Sequence, residues 1–384
     1  MREAETKAAP EEVSAGLDFS DEEPSFIADP KKLLLTGIAA VVLLIGIYVL
    51  VPKLTDLKGA IDNMDNGAPG WLAAAVGFEL LAIGCYVALF WGIVGNQIEL
   101  HWRETMQINL AGIAANTIFS TGGAGGIILT YWALRKAGME RRTAANRMVS
   151  FLVMHYVFYL LALVVFGVLL RTGVLNGSHP VGLTIVPAAI GGVLLALLLA
   201  TTLLPAGFER RIGEEGKRAN FWGKSVRRLA TVPATLADGT RTSLTFFRRP
   251  GQAGLVMLGA AGYWAACIGI LWACFHAYDV SIPLGVVVMG FFVGMAANLF
   301  PFAPGGVGAV DAGMIGTFVL FGIPGEAVFT AVLAYRLIAF WLPIPFGIVA
   351  FFRLRHTVAG WEKEGRTAAG EAKTRARAAE VSTA

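Results

Sequence analysis

Apolar residues gather along this chain into runs much longer than a soluble helix or strand would bury. Such runs lie near 33–51, 71–94, 146–170, 183–205, 253–275 and 327–352. Each holds close to the roughly 20 helical residues needed to cross about 30 Å of hydrocarbon, so each is predicted to be a spanning helix. Two further apolar stretches, 106–134 and 284–321, are interrupted by "STGGAGG" and "PFAPGGVG". Their arms are short: at 1.5 Å per residue, 106–119 reaches about 21 Å and 127–137 about 16 Å. Composition agrees, with 56% hydrophobic and 15% charged residues over 384 positions, a balance that excludes an ordinary soluble domain. The predicted class is an all-α polytopic membrane protein.

Charge decides how the broken stretches run. Lys31 and Lys32 precede the first run and, by the positive-inside rule, place the N-terminus in the cytoplasm. Two crossings later the loop 95–105 is cytoplasmic too, and so is the segment after "STGGAGG", which carries Arg135, Lys136, Arg141, Arg142 and Arg147. A stretch with both ends on one side enters and returns. On the same count the loop 206–250, with ten Lys or Arg against four acidic residues, is cytoplasmic, as are Arg353 and Arg355. The expectation is six spans plus two Gly-rich re-entrant hairpins. Residues 1–30 carry nine acidic groups against Arg2 and Lys7 and read as a disordered acidic cytoplasmic tail; 353–384 is a second cytoplasmic tail.

The two interruptions resemble each other. "AANTIFSTGGAGG" begins at Ala114 and "AANLFPFAPGGVGA" at Ala296, which aligns Gly122, Gly123 and Gly125 with Gly305, Gly306 and Gly308 at an offset of 183 residues. Spans recur at nearly the same distance, which gives repeats of about 33–170 and 183–352 within a membrane domain of 31–352. Three crossings per unit insert the second copy upside down. Inverted repeats that meet through discontinuous helices are an architecture in which transporters hold substrate near the bilayer midplane. Similarity arising from apolar composition alone is the competing explanation.

Three charges fall inside the predicted spans and hairpins: Glu79, Asp311 and Arg336. Each costs about 2.5–3.5 kcal/mol on insertion scales, so such groups face partners or a watery cavity. Two readings are open. In one, Arg336 pairs with Asp311 or Glu79 only to fasten helices. In the other, Arg336 offers a bidentate fork to a phosphate while the carboxylates hold and tune it. The second arm of each hairpin starts just after its glycines, which aims a helix N-terminus at the break. Asn116, Gly122, Gly123, Gly125, Asn298, Pro304, Gly305, Gly306, Gly308, Asp311 and Arg336 would then line a lipid- or anion-binding site, with Glu79, His155, Tyr335 and Trp341 in support. Alternatively the glycines and prolines only make a turn, and His155 is a satisfied packing residue.

No catalytic motif is present. "GKS" at Gly223–Ser225 lacks the first glycine of a phosphate-binding loop, because Arg218 stands there. The five histidines have no metal-ligand spacing, and Cys85, Cys267 and Cys274 read as small apolar packing groups. No cofactor, metal or nucleic-acid partner is expected. Phe208, Phe221, Trp222, Phe246 and Phe247 among the charges of 206–250 suggest contact with the anionic inner leaflet, a solvated loop being the alternative.

"PFAPGGVGAVDAG" followed by "FGIPGEAVFTAVLAYRLIAFWLPIPFG", together with "GGAGGIILTYWALRKAGM", resembles the flippase-like integral membrane family related to the membrane region of lysylphosphatidylglycerol synthases, over about residues 33–352. In relatives with a soluble synthase domain, that domain transfers an aminoacyl group to lipid and the membrane part moves the product between leaflets. Here the chain ends about 30 residues after the last span, so no synthase domain is expected. Asp311 stands where the family more often has glutamate, and Thr130 where it often has arginine. The resemblance implies a non-enzymatic lipid flippase or headgroup-binding transporter in the cytoplasmic membrane, with membrane phospholipid as partner. The alternative is a non-transporting scaffold or regulator for a lipid-modifying or cell-envelope glycosyltransferase, which would be its enzyme partner.

Overall fold

The structure is a computed structural model that describes residues 63–95, 98, 100–118, 124–201, 239–243, 250–299 and 308–366. Among them there is helix and no strand. The helices are α1 (Pro69–Val94), α2 (Trp102–Ile118), α3 (Ala124–Lys136), α4 (Arg141–Arg171), α5 (Val181–Ala200), α6 (Pro250–Ala277), α7 (Leu284–Met295), α8 (Ala309–Leu320), α9 (Gly325–Arg336) and α10 (Pro343–Lys363). A π-helical turn, Leu337–Trp341, joins α9 to α10 without a break.

Five of the described helices are long and apolar enough to cross a membrane: α1, α4, α5, α6 and the continuous stretch Gly325–Lys363. Their surfaces carry the matching signature. Leu80, Leu258 and Leu320 are more than 60% exposed, and α5 shows Val186, Ile190, Val193 and Leu197 on its outer side. Apolar groups so displayed need hydrocarbon rather than water around them. The chain is thus a multi-pass membrane protein. The expected first span, 33–51, lies outside the described residues, as do most of 206–250, the tail 1–30 and residues 367–384 of the second tail. The span expected at 327–352 lies within a helix that runs from Gly325 to Lys363, about 58 Å at 1.5 Å per residue, with the π turn inside it and its last turns in the expected tail.

The two interrupted stretches fold as helical hairpins. In the first, α2 and α3 lie antiparallel, crossing where Gly126 meets Gly112: a Cβ on Gly126 would stand 2.5 Å from the Gly112 carbonyl oxygen. In the second, α7 and α8 cross where Gly313 meets the carbonyl of Gly294. The arms are 17, 13, 12 and 12 residues long. None exceeds about 26 Å, short of the roughly 30 Å hydrocarbon core.

The hairpins start and finish at opposite ends of the bundle. At one end, Trp361 of α10 donates its ring N–H to Glu104 of α2 over 3.0 Å, and Lys136 of α3 meets Glu362 of α10 at 2.6 Å. At the other, Ser178 donates to the Phe321 carbonyl after α8, and Gly285 of α7 packs on Leu170 and Leu175. The first end gathers Arg103, Arg135, Lys136, Arg141, Arg142, Arg147, Arg353, Arg355 and Lys363. The second holds Arg171 with Asp65, Asp279 and Glu326. Helix α5 finishes and α6 begins at the basic end, where Gln252 donates to the Gly92 carbonyl and Ser150 to that of Gly239.

Contacts repeat under exchange of the two halves. The broadest interface joins α1 to α6, with α2 packed on α10 as α7 is on α4, and α3 on α4 as α8 is on α9. At the α1–α6 crossing Gly259 fits against backbone, its Cβ position being 2.7 Å from the Leu89 nitrogen and 2.9 Å from the Cys85 carbonyl. Small residues at the crossing let the backbones approach, which is how helices associate where no hydrophobic effect drives them.

Candidate functional site

The second hairpin brings two of the three expected charges together. Helix α8 starts at Gly308, whose φ of 82° is in the left-handed region that glycine adopts without strain. The Gly308 N–H donates to Asp311 Oδ2 over 2.9 Å, so the carboxylate closes the first turn of its own helix. Its other oxygen, Oδ1, accepts from Nε of Arg336 at the end of α9. The side chains are 7% exposed for Arg336 and 13% for Asp311. Beneath the guanidinium lies the Phe340 ring, 5.1 Å from Cζ to the ring centroid.

This geometry is chemically specific. An anion at a helix N-terminus is favoured by the aligned peptide dipoles, and a guanidinium beside it completes the neutralisation. Here the anion is Asp311 itself, so the site is charge-balanced with nothing bound. Arg336 also sits where the helix changes from α to π: the Leu342 N–H reaches back to the Leu337 carbonyl at 3.1 Å. Single-turn π segments inside α-helices recur at functional sites.

The other expected residues are placed as follows. Glu79 does not join Arg336. Its carboxyl lies within electrostatic reach of Tyr263 and Cys267 on α6 and Tyr335 on α9, whereas Asp311 holds the guanidinium. The expectation of two carboxylates serving Arg336 is thereby corrected: Glu79 projects from α1 toward α6, one residue short of the arginine along α9. His155 is not a satisfied packing residue, because its Nδ1 is buried with no hydrogen-bond partner among the described residues, ringed by Tyr86, Phe151, Tyr156, Tyr263 and Trp264. Asn116 is exposed on α2 and approaches Gly126; Gly125 is buried in the first turn of α3. Trp341 lies in the π turn, edge-on to Phe340. Asn298 lies in the short 3₁₀ turn Ala296–Leu299 after α7. Gly122, Gly123, Pro304, Gly305 and Gly306 lie outside the described residues.

Three contributors escaped the sequence reading. Phe340 is four residues after Arg336, a spacing that puts both on one helical face and could have been noticed. Tyr263 and Cys267 likewise share a face of α6 but read as ordinary apolar filling until Glu79 is seen opposite. Gly308, already among the expected site residues, is tied by its amide to the aspartate three residues on, the spacing of a capping box.

Among the described residues no group of three or more His, Cys, Asp or Glu could hold a metal ion. Comparison with known proteins gives the chain its relatives. A sequence model described as the lysylphosphatidylglycerol synthase TM region matches residues 35–347. A UPF0104 membrane protein of Methanothermobacter thermautotrophicus is 23% identical over 325 residues, covering 81% of this chain and 94% of that one. Another match to a protein of the same description from that organism is 30% identical over 113 residues, covering 29% of this chain and 31% of the relative. With most of its length matched, and the hairpins and the Asp311–Arg336 pair inside the matched region, the chain belongs to the family of the lysylphosphatidylglycerol synthase transmembrane region.

Proposed function

We propose that this protein is a flippase or headgroup-binding transporter for a phospholipid, a glyco- or aminophospholipid included, resident in the cytoplasmic membrane with both termini in the cytoplasm. In this reading the membrane domain spans 31–352 as two inverted repeats, with six spans and two re-entrant hairpins. The basic end of the bundle faces the cytoplasm, where 206–250 lies along anionic lipid. The observation that carries the reading is the Arg336–Asp311 pair at the N-terminus of α8, because it assembles in the bundle interior the donors that a phosphodiester needs: a guanidinium and a helix N-terminus. Asp311 acts as the resident counter-anion that keeps the site neutral when empty. A lipid phosphate entering between the hairpins takes over these donors while its acyl chains stay in the bilayer.

The test is lipid translocation in proteoliposomes beside thermal stability in detergent. Arg336→Lys keeps the charge and loses the planar fork, so folding is expected to survive and translocation to fall. Arg336→Met with Asp311→Leu is expected to be stable and inactive. A double variant that is stable and moves lipid at the original rate ends the case for these residues as a site. It would support the second reading, a non-transporting scaffold for a lipid-modifying enzyme, which the mutual satisfaction of the pair favours. For sidedness, cysteines placed near Arg142 and Gly213 are expected to be shielded from an impermeant thiol reagent in intact cells and one near Asn176 to be labelled; labelling near Arg142 contradicts the inverted arrangement.

A further inference from the structure

The phosphate-directed reading leaves one buried acid unused. Glu79 is 5% exposed, two-fifths of the way along α1, at the crossing with α6. Tyr263 and Cys267 of α6 and Tyr335 of α9 lie within electrostatic reach of it. From α4, His155 is reached across Tyr86 and Tyr263, at ring separations of 5.7 and 4.9 Å. The π turn contributes no ionisable side chain, and those of α2, Arg103 and Glu104, are at the basic end. Arg336 lies beyond Tyr335 with Asp311, and no Lys or Arg pairs with Glu79 among the described residues.

A bare carboxylate in such a place is costly, whereas a carboxylic acid is a neutral donor and acceptor suited to hydroxyls and a thiol. An apolar cleft of about 380 Å³ lies between α1 and the α9–π segment, lined by Leu72, Val76, Tyr278, Ala334, Leu337 and Ile338. Val76 is one turn before Glu79 on α1, and Ala334 precedes Tyr335 on α9, so the cleft lies beside the helical turns that carry two members of the cluster. Its other wall is the π turn, where the backbone ladder departs from α geometry.

We propose that Glu79 is a membrane-embedded proton-binding site: it holds its proton within the Tyr263–Cys267–Tyr335 cluster while the α1–α9 cleft is closed and releases it to water when the cleft opens. One proton bonds to a carboxylate oxygen and later returns to water, so nothing else is consumed. Resting on the transporter reading, the same step couples lipid movement to a pH gradient.

Dicyclohexylcarbodiimide, an apolar reagent that adds whole to protonated carboxyl groups, separates the site from the coupling. With the full chain in liposomes, peptide mass spectrometry is expected to find the adduct on Glu79, strong at about pH 6 and lost at about pH 10, where the ionised form no longer reacts. Asp311, whose carboxylate is held by Arg336 and the Gly308 amide, is expected to stay unlabelled. No adduct on Glu79 at either pH, or an adduct indifferent to pH, overturns the proton site. Coupling is read from translocation with and without a pH gradient: the wild type is expected to respond and Glu79→Gln to lose the response. A wild-type rate that ignores the gradient overturns the coupling, whereas absence of any lipid movement strikes the transporter reading and leaves the labelling result standing.

Discussion

In the second hairpin, α8 begins at Gly308 with its amide on Asp311, and Asp311 holds Arg336 of the neighbouring helix. In the first, Ile128 stands at the position of Asp311, His155 lies roughly opposite Arg336 in the matching span, and α3 begins with no acid in its first turn. What the two hairpins share is a crossing at one aligned glycine, Gly112 in the first and Gly294 in the second, and only its glycine partner differs: Gly126 in one, Gly313 in the other. Aligned, Gly313 corresponds to Thr130, whose hydroxyl would be 3.0 Å from a Cβ on Gly112. A repeat can keep its backbone path, set by close approach of helices, while chemistry is confined to one copy. The first hairpin is therefore a counterpart in backbone path, and of the two only the second has an acid in the first turn of its returning arm.

The largest expected effect breaks that contrast at the ion pair. Asp311→Leu or Arg336→Met alone strands a buried charge and is expected to cost about 3–5 kcal/mol, read as a fall in the detergent melting temperature. Ile128→Val, at the position matching Asp311, is expected to cost only about 0.5–1.5 kcal/mol. Equal losses at the two sites would erase the distinction between the hairpins.

Next comes the shared device. Gly126→Ala forces a methyl against the Gly112 carbonyl and is expected to cost about 1–3 kcal/mol. Gly313→Ala, with its Cβ position 2.8 Å from the Gly294 carbonyl, is expected to lose a similar amount. Gly316, on the same helix but facing open space, behaves oppositely: Gly316→Ala is expected to stabilise by about 0.5–1 kcal/mol, because glycine is the weaker helix former. If thermal melts rank Gly316→Ala with the other two, the crossings are not what holds the arms together.

The smallest effect concerns the base of the first hairpin. Trp361→Phe keeps the ring and removes the N–H donated to Glu104, with an expected loss of about 0.5–1.5 kcal/mol. Lys136→Met, which breaks an exposed pair with Glu362, is expected to cost less than about 1 kcal/mol. A larger loss at Lys136 than at Trp361 would mean that the basic end is held by charge rather than by packing.

Much of the fold was legible beforehand. The expected spans 71–94, 146–170 and 253–275 lie within α1, α4 and α6, because the length of an apolar run measures a helix directly against the bilayer. The two broken stretches were recognised from glycine and proline. Among the described residues their close crossings involve Gly112, Gly126, Gly294 and Gly313, of which Gly126 alone belongs to the glycine-rich interruptions, since which glycine meets a partner depends on how the arms rotate about their axes. The π turn was illegible, because "LIAFW" is apolar and without proline or glycine.

By itself, then, the sequence determined that this chain is helical and membrane-spanning, where its helices lie, and that Glu79, Asp311 and Arg336 need partners. These follow from costs each residue carries wherever it sits: an unpaired backbone group or a bare charge is expensive in hydrocarbon. Tertiary structure alone decided that Arg336 takes Asp311, 25 residues away, and leaves Glu79 to tyrosines and a cysteine. Both carboxylates were open to the arginine on sequence grounds. The choice rests on the rotation of α1, α8 and α9 about their axes, and that is set by small residues and ring packing spread over several helices, which no local stretch of sequence encodes.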